Sequence, residues 1–122
     1  MARIFVIDDS KFMRNLIKNI LIEGGHIISG EASNGQEALM DFPESSSDLL
    51  IVDLNLPDIN GIEVIRKLRK KNPDVKAIIF SSISHNNYKM ESYTAGESDY
   101  LVTPFDFDKL LDAISRVLER EK

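Results

Sequence analysis

Asp48-Leu49-Leu50-Ile51-Val52-Asp53-Leu54-Asn55-Leu56-Pro57 is the stretch on which the fold turns. Leu49 to Val52 is apolar without alternation, so it predicts a strand covered on both faces. A carboxylate, Asp53, ends the run. The segment that follows, with Pro57, Asp58, Asn60 and Gly61, is loop chemistry. The same construction recurs on either side. Upstream, Ile4 to Ile7 is a β-branched and aromatic run that ends in Asp8 and Asp9. Downstream, Ala77 to Phe80 ends in Ser81 and Ser82. Asp99 to Val102 reads as a last strand, broken by Thr103-Pro104.

Helical patterns fill the intervals. Lys11 to Glu23 carries Phe12, Met13, Leu16, Ile17, Ile20 and Leu21 on one face, with Ser10 as N-cap and Gly24-Gly25 as the stop. A weaker strand, His26 to Ala32, precedes a short helix, Gly35 to Phe42, capped by Asn34 and ended by Pro43. Ser45-Ser46-Ser47 is a loop. Further helices are expected over Ile62 to Lys71 and about Asn86 to Ala95. A third, after Thr103-Pro104, carries Phe107, Leu110, Leu111, Ile114, Val117 and Leu118 on one face. Five β-then-α units with fully apolar strands predict an α/β domain, a parallel sheet with helices on both sides.

The chain of 122 residues fits one domain and can bury a core without staples. There are no cysteines, which excludes disulfides, thiol chemistry and Cys-based metal sites. The net charge of -5 argues against a nucleic-acid binder. The basic cluster Arg66, Lys67, Arg69, Lys70 and Lys71 falls at a helix end, where cations complement the helix dipole. No apolar stretch has the length of a signal peptide core or a membrane span, so a cytoplasmic protein is expected. His26 and His85 have no spaced partner and read as ordinary polar residues rather than metal ligands.

In open parallel sheets, ligands bind beyond the carboxyl ends of the strands. The residues just past the apolar runs are Asp8, Asp9, Asp53, Ser81, Ser82 and Thr103. Three carboxylates gathered there repel unless a cation joins them, and hard oxygen ligands suit Mg2+. An aspartate can also attack phosphorus and form an acyl phosphate. Taken singly, Asp8-Asp9 also reads as favourable charge at a helix N-terminus, and Asp53 as a turn residue.

Five phrases in order carry a family resemblance: Ile4-Phe5-Val6-Ile7-Asp8-Asp9-Ser10; Asp48 to Pro57; Asn60-Gly61; Phe80-Ser81-Ser82; and Tyr100-Leu101-Val102-Thr103-Pro104-Phe105. With them the chain resembles the receiver domain of response regulators, the CheY-like family, over nearly its whole length. The resemblance implies a single doubly wound (βα)5 domain over residues 1–122. It is flavodoxin-like, with a five-stranded parallel sheet in the order 2-1-3-4-5. Asp53 then stands as phosphoacceptor, with Mg2+ held by Asp8, Asp9, Asp53 and the backbone carbonyl of Asn55. Ser81 stands at the switch hydroxyl and Tyr100 at the switch aromatic, and Thr103-Pro104 at a cis peptide. The implied partners are a histidine kinase or phosphotransfer protein, and a target protein or dimer partner at the face of Tyr93 and Tyr100.

Thr103 departs from the pattern, because the family usually has lysine there. Threonine brings no charge and a shorter reach, which bears on phosphorylation, phosphoryl lifetime and switching. Lys11 is a candidate to lean over the site instead. Glu97, after Gly96, also departs from the small apolar residue usual there. Two other readings are less well supported. A weakly switching or phosphorylation-independent interaction module would follow from Thr103. An aspartyl phosphohydrolase would need a second carboxylate two residues after Asp53, where Asn55 stands. No Gly-rich phosphate loop follows the first strand.

Overall fold

The apolar run at Leu49–Asp53 becomes the third strand, β3, and the middle of a parallel sheet. The computed structural model describes residues 1–81, 99–102 and 107–119. In chain order these form β1 (Arg3–Ile7), α1 (Lys11–Glu23), β2 (Ile27–Ala32), α2 (Gly35–Asp41), a 3-10 turn (Phe42–Glu44) and β3. They continue as α3 (Gly61–Lys71), β4 (Ala77–Ser81), β5 (Asp99–Val102) and α4 (Phe107–Glu119). The strands lie in the order β2-β1-β3-β4-β5, with β5 placed by its backbone pairing to β4, Ile79 opposite Tyr100. The helix expected over 86–95 lies outside the described residues, as do Ser82, His85, Tyr93, Glu97 and Thr103.

Side chains alternate across a strand, so a continuous apolar run feeds two cores. Phe5, Ile7, Leu50, Val52 and Ile79 pack with Ala38 of α2 and with Val64, Ile65 and Leu68 of α3. Ile4, Val6, Leu49, Ile51 and Ile78 pack on the other side with Ile17 and Leu21 of α1 and with Leu110, Ala113, Ile114 and Val117 of α4. Each fully buried aliphatic side chain contributes about 1.5–3 kcal/mol.

The helix caps fall where the sequence places them. The Ser10 hydroxyl accepts the Met13 N–H at 3.1 Å, and Asn34 Oδ1 accepts the Glu37 N–H at 2.8 Å. Asn60 Oδ1 accepts the Glu63 N–H at 3.0 Å, so α3 starts at Gly61, one residue earlier than its apolar pattern suggests. Of the basic residues in the last turn of α3, Arg69 is not simply solvated. Its Nε donates to the Val75 carbonyl at 2.9 Å.

The structure refines three readings of the helices. Phe12 and Leu16 of α1 are 76% and 43% exposed, because the helix meets the sheet along Ile17 and Leu21. Phe107 likewise stays outside, on the first turn of α4. The short helix does not simply stop before Pro43. It tightens into the 3-10 turn, which places Phe42 edge-on against Phe5 with ring centroids 5.5 Å apart.

The outer strand β2 is irregular. Ile4 pairs with Ile28 but Phe5 pairs with Gly30, so Ser29 is an extra residue in the ladder. Gly30 is required there, because a Cβ would lie 2.6 Å from the Phe5 ring. His26 has a structural use, since its Nδ1 accepts the Ala2 N–H at 3.1 Å. Burial lowers its pKa, which favours the neutral ring that can accept this bond. Among the described residues no helix is long and apolar enough to cross a membrane.

Candidate metal and phosphoryl site

β1 and β3 pair in parallel up to Ile7 opposite Val52. The next residue on each strand is an aspartate, so Asp8 and Asp53 emerge side by side at the carboxyl edge. Asp8, Asp9 and Asp53 each offer a carboxylate oxygen, and all three oxygens lie within 4.8 Å of one another. Asp8 is buried, Asp53 half-buried and Asp9 exposed. They line an open cleft of about 260 Å³ together with Ser10, Met13, Asn55 and Phe80.

Local hydrogen bonds fix these carboxylates. The Asp8 N–H donates to the Ala32 carbonyl at 3.1 Å, and Asp8 Oδ1 accepts the Ser10 N–H at 3.1 Å. Asp53 Oδ1 accepts the Asn55 N–H at 3.0 Å, which turns the chain straight after the strand. The backbone of α3 comes close beneath. The Gly61 N–H donates to the Leu54 carbonyl at 2.8 Å, and a Cβ on Gly61 would lie 2.6 Å from the Asp53 carbonyl oxygen.

The electrostatics are unbalanced. The Asp53 carboxyl is pushed up to about 7, first by burial and then by the charges of Asp8 and Asp9, against the opposing Asn55 N–H. Asp8 is raised for the same leading reason, partly offset by its bond from Ser10. Among the described residues no cation forms an ion pair with any of the three. A set of hard carboxylate oxygens with excess negative charge has the donor chemistry that suits Mg2+.

The other expected residues fall as follows. Ser81 ends β4, one residue past the Asp53–Phe80 register pair, and is buried. Asn55 lines the cleft. Tyr100 is in β5, described by its backbone only, and Thr103 lies outside the described residues. Lys11 opens α1 and is exposed.

Two supporting residues were not singled out from the sequence. Arg14 Nη1 donates to the Asp8 carbonyl at 2.6 Å while its Nε meets Glu31 at 2.9 Å, so α1 is tied to the end of β1. Asp58 accepts the N–H groups of Gly35 and Gln36 at 2.8 and 2.9 Å, which fastens the loop after Asp53 to the start of α2. Those bonds hold the Asp58 carboxyl below its ordinary range. An Asp in a turn segment was visible, but its long-range partner had no sequence signal.

Comparison with known proteins identifies the family. The family described as the response regulator receiver domain matches residues 4–115. Chemotaxis protein CheY of Thermotoga maritima is 33% identical over 115 residues, covering 94% of this chain and 96% of that protein. Protein CcdB of Bacillus subtilis is 36% identical over 118 residues, covering 97% and 98%. Among solved structures, the response regulator TrrA of Thermotoga maritima, in complex with Mg(2+)-BeF, superposes with a TM-score of 0.84 at 38% identity, covering 96% of this chain and 99% of that one. The chain belongs to the response regulator receiver domain family, the CheY-like switches of two-component signalling.

Proposed function

We propose that residues 1–122 act as one (βα)5 receiver domain, in which Asp53 accepts a phosphoryl group from a phosphohistidine. The supporting observation is the meeting of Asp8, Asp9 and Asp53 at the carboxyl edge of the sheet. An Asp53 carboxylate oxygen attacks phosphorus, the new P–O bond gives an acyl phosphate, and the P–N bond to the donor imidazole breaks. Asp8, Asp9, Asp53 and the Asn55 carbonyl would hold Mg2+, which when bound neutralises charge on the transferred group. Asn55 and Gly61 keep the nucleophile in place through the turn and the close backbone contact. Ser81 then meets a phosphoryl oxygen, and Tyr100 and Tyr93 belong to the face whose affinity for a target or dimer partner changes. The donor is a histidine kinase or phosphotransfer protein. A cytoplasmic setting fits a chain without cysteine, and no nucleic-acid or membrane contact is part of this reading.

Intact mass after incubation with acetyl phosphate and Mg2+ tests the acceptor. The expected result is a gain of one phosphoryl group, lost on chelation of the metal beforehand. Borohydride reduction of the labelled protein should mark Asp53. A label on another residue rejects the assignment, and turnover of the donor without any labelled protein points to the phosphohydrolase.

Mg2+ should also stabilise the fold. A ligand that binds only the folded state at a hundredfold excess over its Kd adds about 2.7 kcal/mol. Thermal melts with and without saturating Mg2+ measure this, and an unchanged Tm argues against a metal site here.

Thr103 favours a second reading, in which the domain is labelled but switches weakly. One charge-assisted contact is worth about 1.5–3 kcal/mol, against about 5.5 kcal/mol needed to move a 1:99 equilibrium to 99:1. Thr103→Lys is expected to complete a shift that the parent makes only in part, read by NMR at Tyr100 and Ser81 with a beryllofluoride mimic. Full conversion of the parent would show that another group replaces the lysine, with Lys11 the first to substitute.

A further inference from the structure

A second concavity lies at the opposite end of the sheet from Asp53, between the turn that ends α2 and the last turns of α3. It has a volume of about 420 Å³, within the range of small-molecule sites, which is about 300–1,000 Å³. Its floor is apolar, made by Leu39, Phe42, Leu68 and Val75. Its mouth carries Lys67 and Lys71, both exposed, and no carboxylate lines it. The two lysines are one helical turn apart on the same face, where like charges repel. Among the described residues neither forms a salt bridge, although the chain as a whole carries a net charge of -5.

The walls are held independently of any occupant. Arg3 Nε donates to the Ser46 carbonyl at 2.8 Å, which fixes the loop on one side. Arg69 Nε donates to the Val75 carbonyl on the other. A preformed pocket binds without first ordering its own walls.

We propose that this groove binds a small amphipathic carboxylate, its apolar body on Phe42, Leu68 and Val75 and its anion between Lys67 and Lys71. The charge complementarity decides the ligand class. A neutral apolar molecule would leave the lysine repulsion unrelieved, and a cation would add to it.

Amide NMR titration of the whole chain with octanoate tests the site, with octanol and octyltrimethylammonium as neutral and cationic counterparts. Octanoate should give saturable shifts at residues 39–47 and 67–75, and bind more tightly than octanol. Octyltrimethylammonium should leave those amides unmoved. Lys67→Gln with Lys71→Gln removes two exposed charges and no core contact, and should raise the octanoate Kd about threefold or more. The proposal is overturned by absence of saturable shifts there at millimolar octanoate. Equal binding of octanol, or an unchanged Kd in the double variant, overturns it as well.

Discussion

Asp53→Asn protein is expected to take up no phosphoryl group and, without metal, to be more stable than its parent. The amide oxygen is a poor nucleophile toward phosphorus, so labelling should fall to background. The stability gain follows from the raised pKa of the parent carboxyl. Burial and the neighbouring carboxylates push the Asp53 carboxyl up to about 7 in the folded protein from an ordinary 3.8. A group raised in this way stabilises the fold in its protonated form. That contribution is complete below about pH 4 and is lost as pH rises through about 7. At pH 8 the parent therefore carries a charge that no cation among the described residues pairs with and that the variant lacks. After discounting for solvent reaching a half-open carboxyl, the difference is roughly 1–2 kcal/mol. Urea denaturation with chelator at pH 8 and at pH 5.5 measures it. The parent should gain stability between these values and the variant much less. Glu31, whose pKa is lowered first by its bond to Lys18, acts with the opposite sign, and its contribution is lost as pH falls below the ordinary carboxylate range. An Asp53→Asn protein no more stable than its parent at pH 8 would contradict the burial argument.

Gly61→Val should produce the largest loss of function outside the aspartates. The new Cβ would lie 2.6 Å from the Asp53 carbonyl oxygen and 3.2 Å from the Leu54 Cα, both backbone atoms with no rotamer to change. Either the end of β3 or the start of α3 must move. Overpacking of this kind costs about 1–3 kcal/mol. A displacement of about 1 Å at the nucleophile can slow its reaction by about 100-fold. The rate of acyl phosphate formation, measured well below the variant's Tm, reads the second effect apart from the first. Gly61→Ala carries the same Cβ and should share the defect in direction. Parent-like stability and rate in both variants would show that the contact relaxes freely.

Much of this site was legible because it is written at strand ends. Unbroken apolar runs identify buried strands, and the first polar residues after them must surface at the carboxyl edge. That logic brings Asp8, Asp9 and Asp53 together without any tertiary information. β3 and β4 run one residue further than their apolar residues do, so that Asp53 and Ser81 are themselves the last strand residues. Helix facing was less legible. The apolar residues of α1 cover about half its circumference, wider than the contact a helix makes with a sheet. Periodicity marks the apolar side but does not tell which part of it is covered, and so it groups the exposed Phe12 and Leu16 with the buried Ile17 and Leu21. The groove above Phe42 has no sequence signal because its walls come from segments far apart in the chain. The bonds of Asp58 to the start of α2, and of Arg14 to the Asp8 carbonyl and Glu31, leave no pattern along the chain either.

The extra residue in β2 bears on how copies of this chain behave beside one another. An outer strand exposes a row of unpaired backbone groups that invites a strand from another chain. Here Ser29 interrupts the spacing of that row, and a bulge also increases the local twist. Further along the same strand, Glu31 is held by Arg14 and Lys18 in a small charged cluster. An incoming strand would meet a ladder out of step and charges to desolvate. The edge beside β1 and its aspartates is thereby guarded against edge-to-edge aggregation, even with Ile27 exposed at its start.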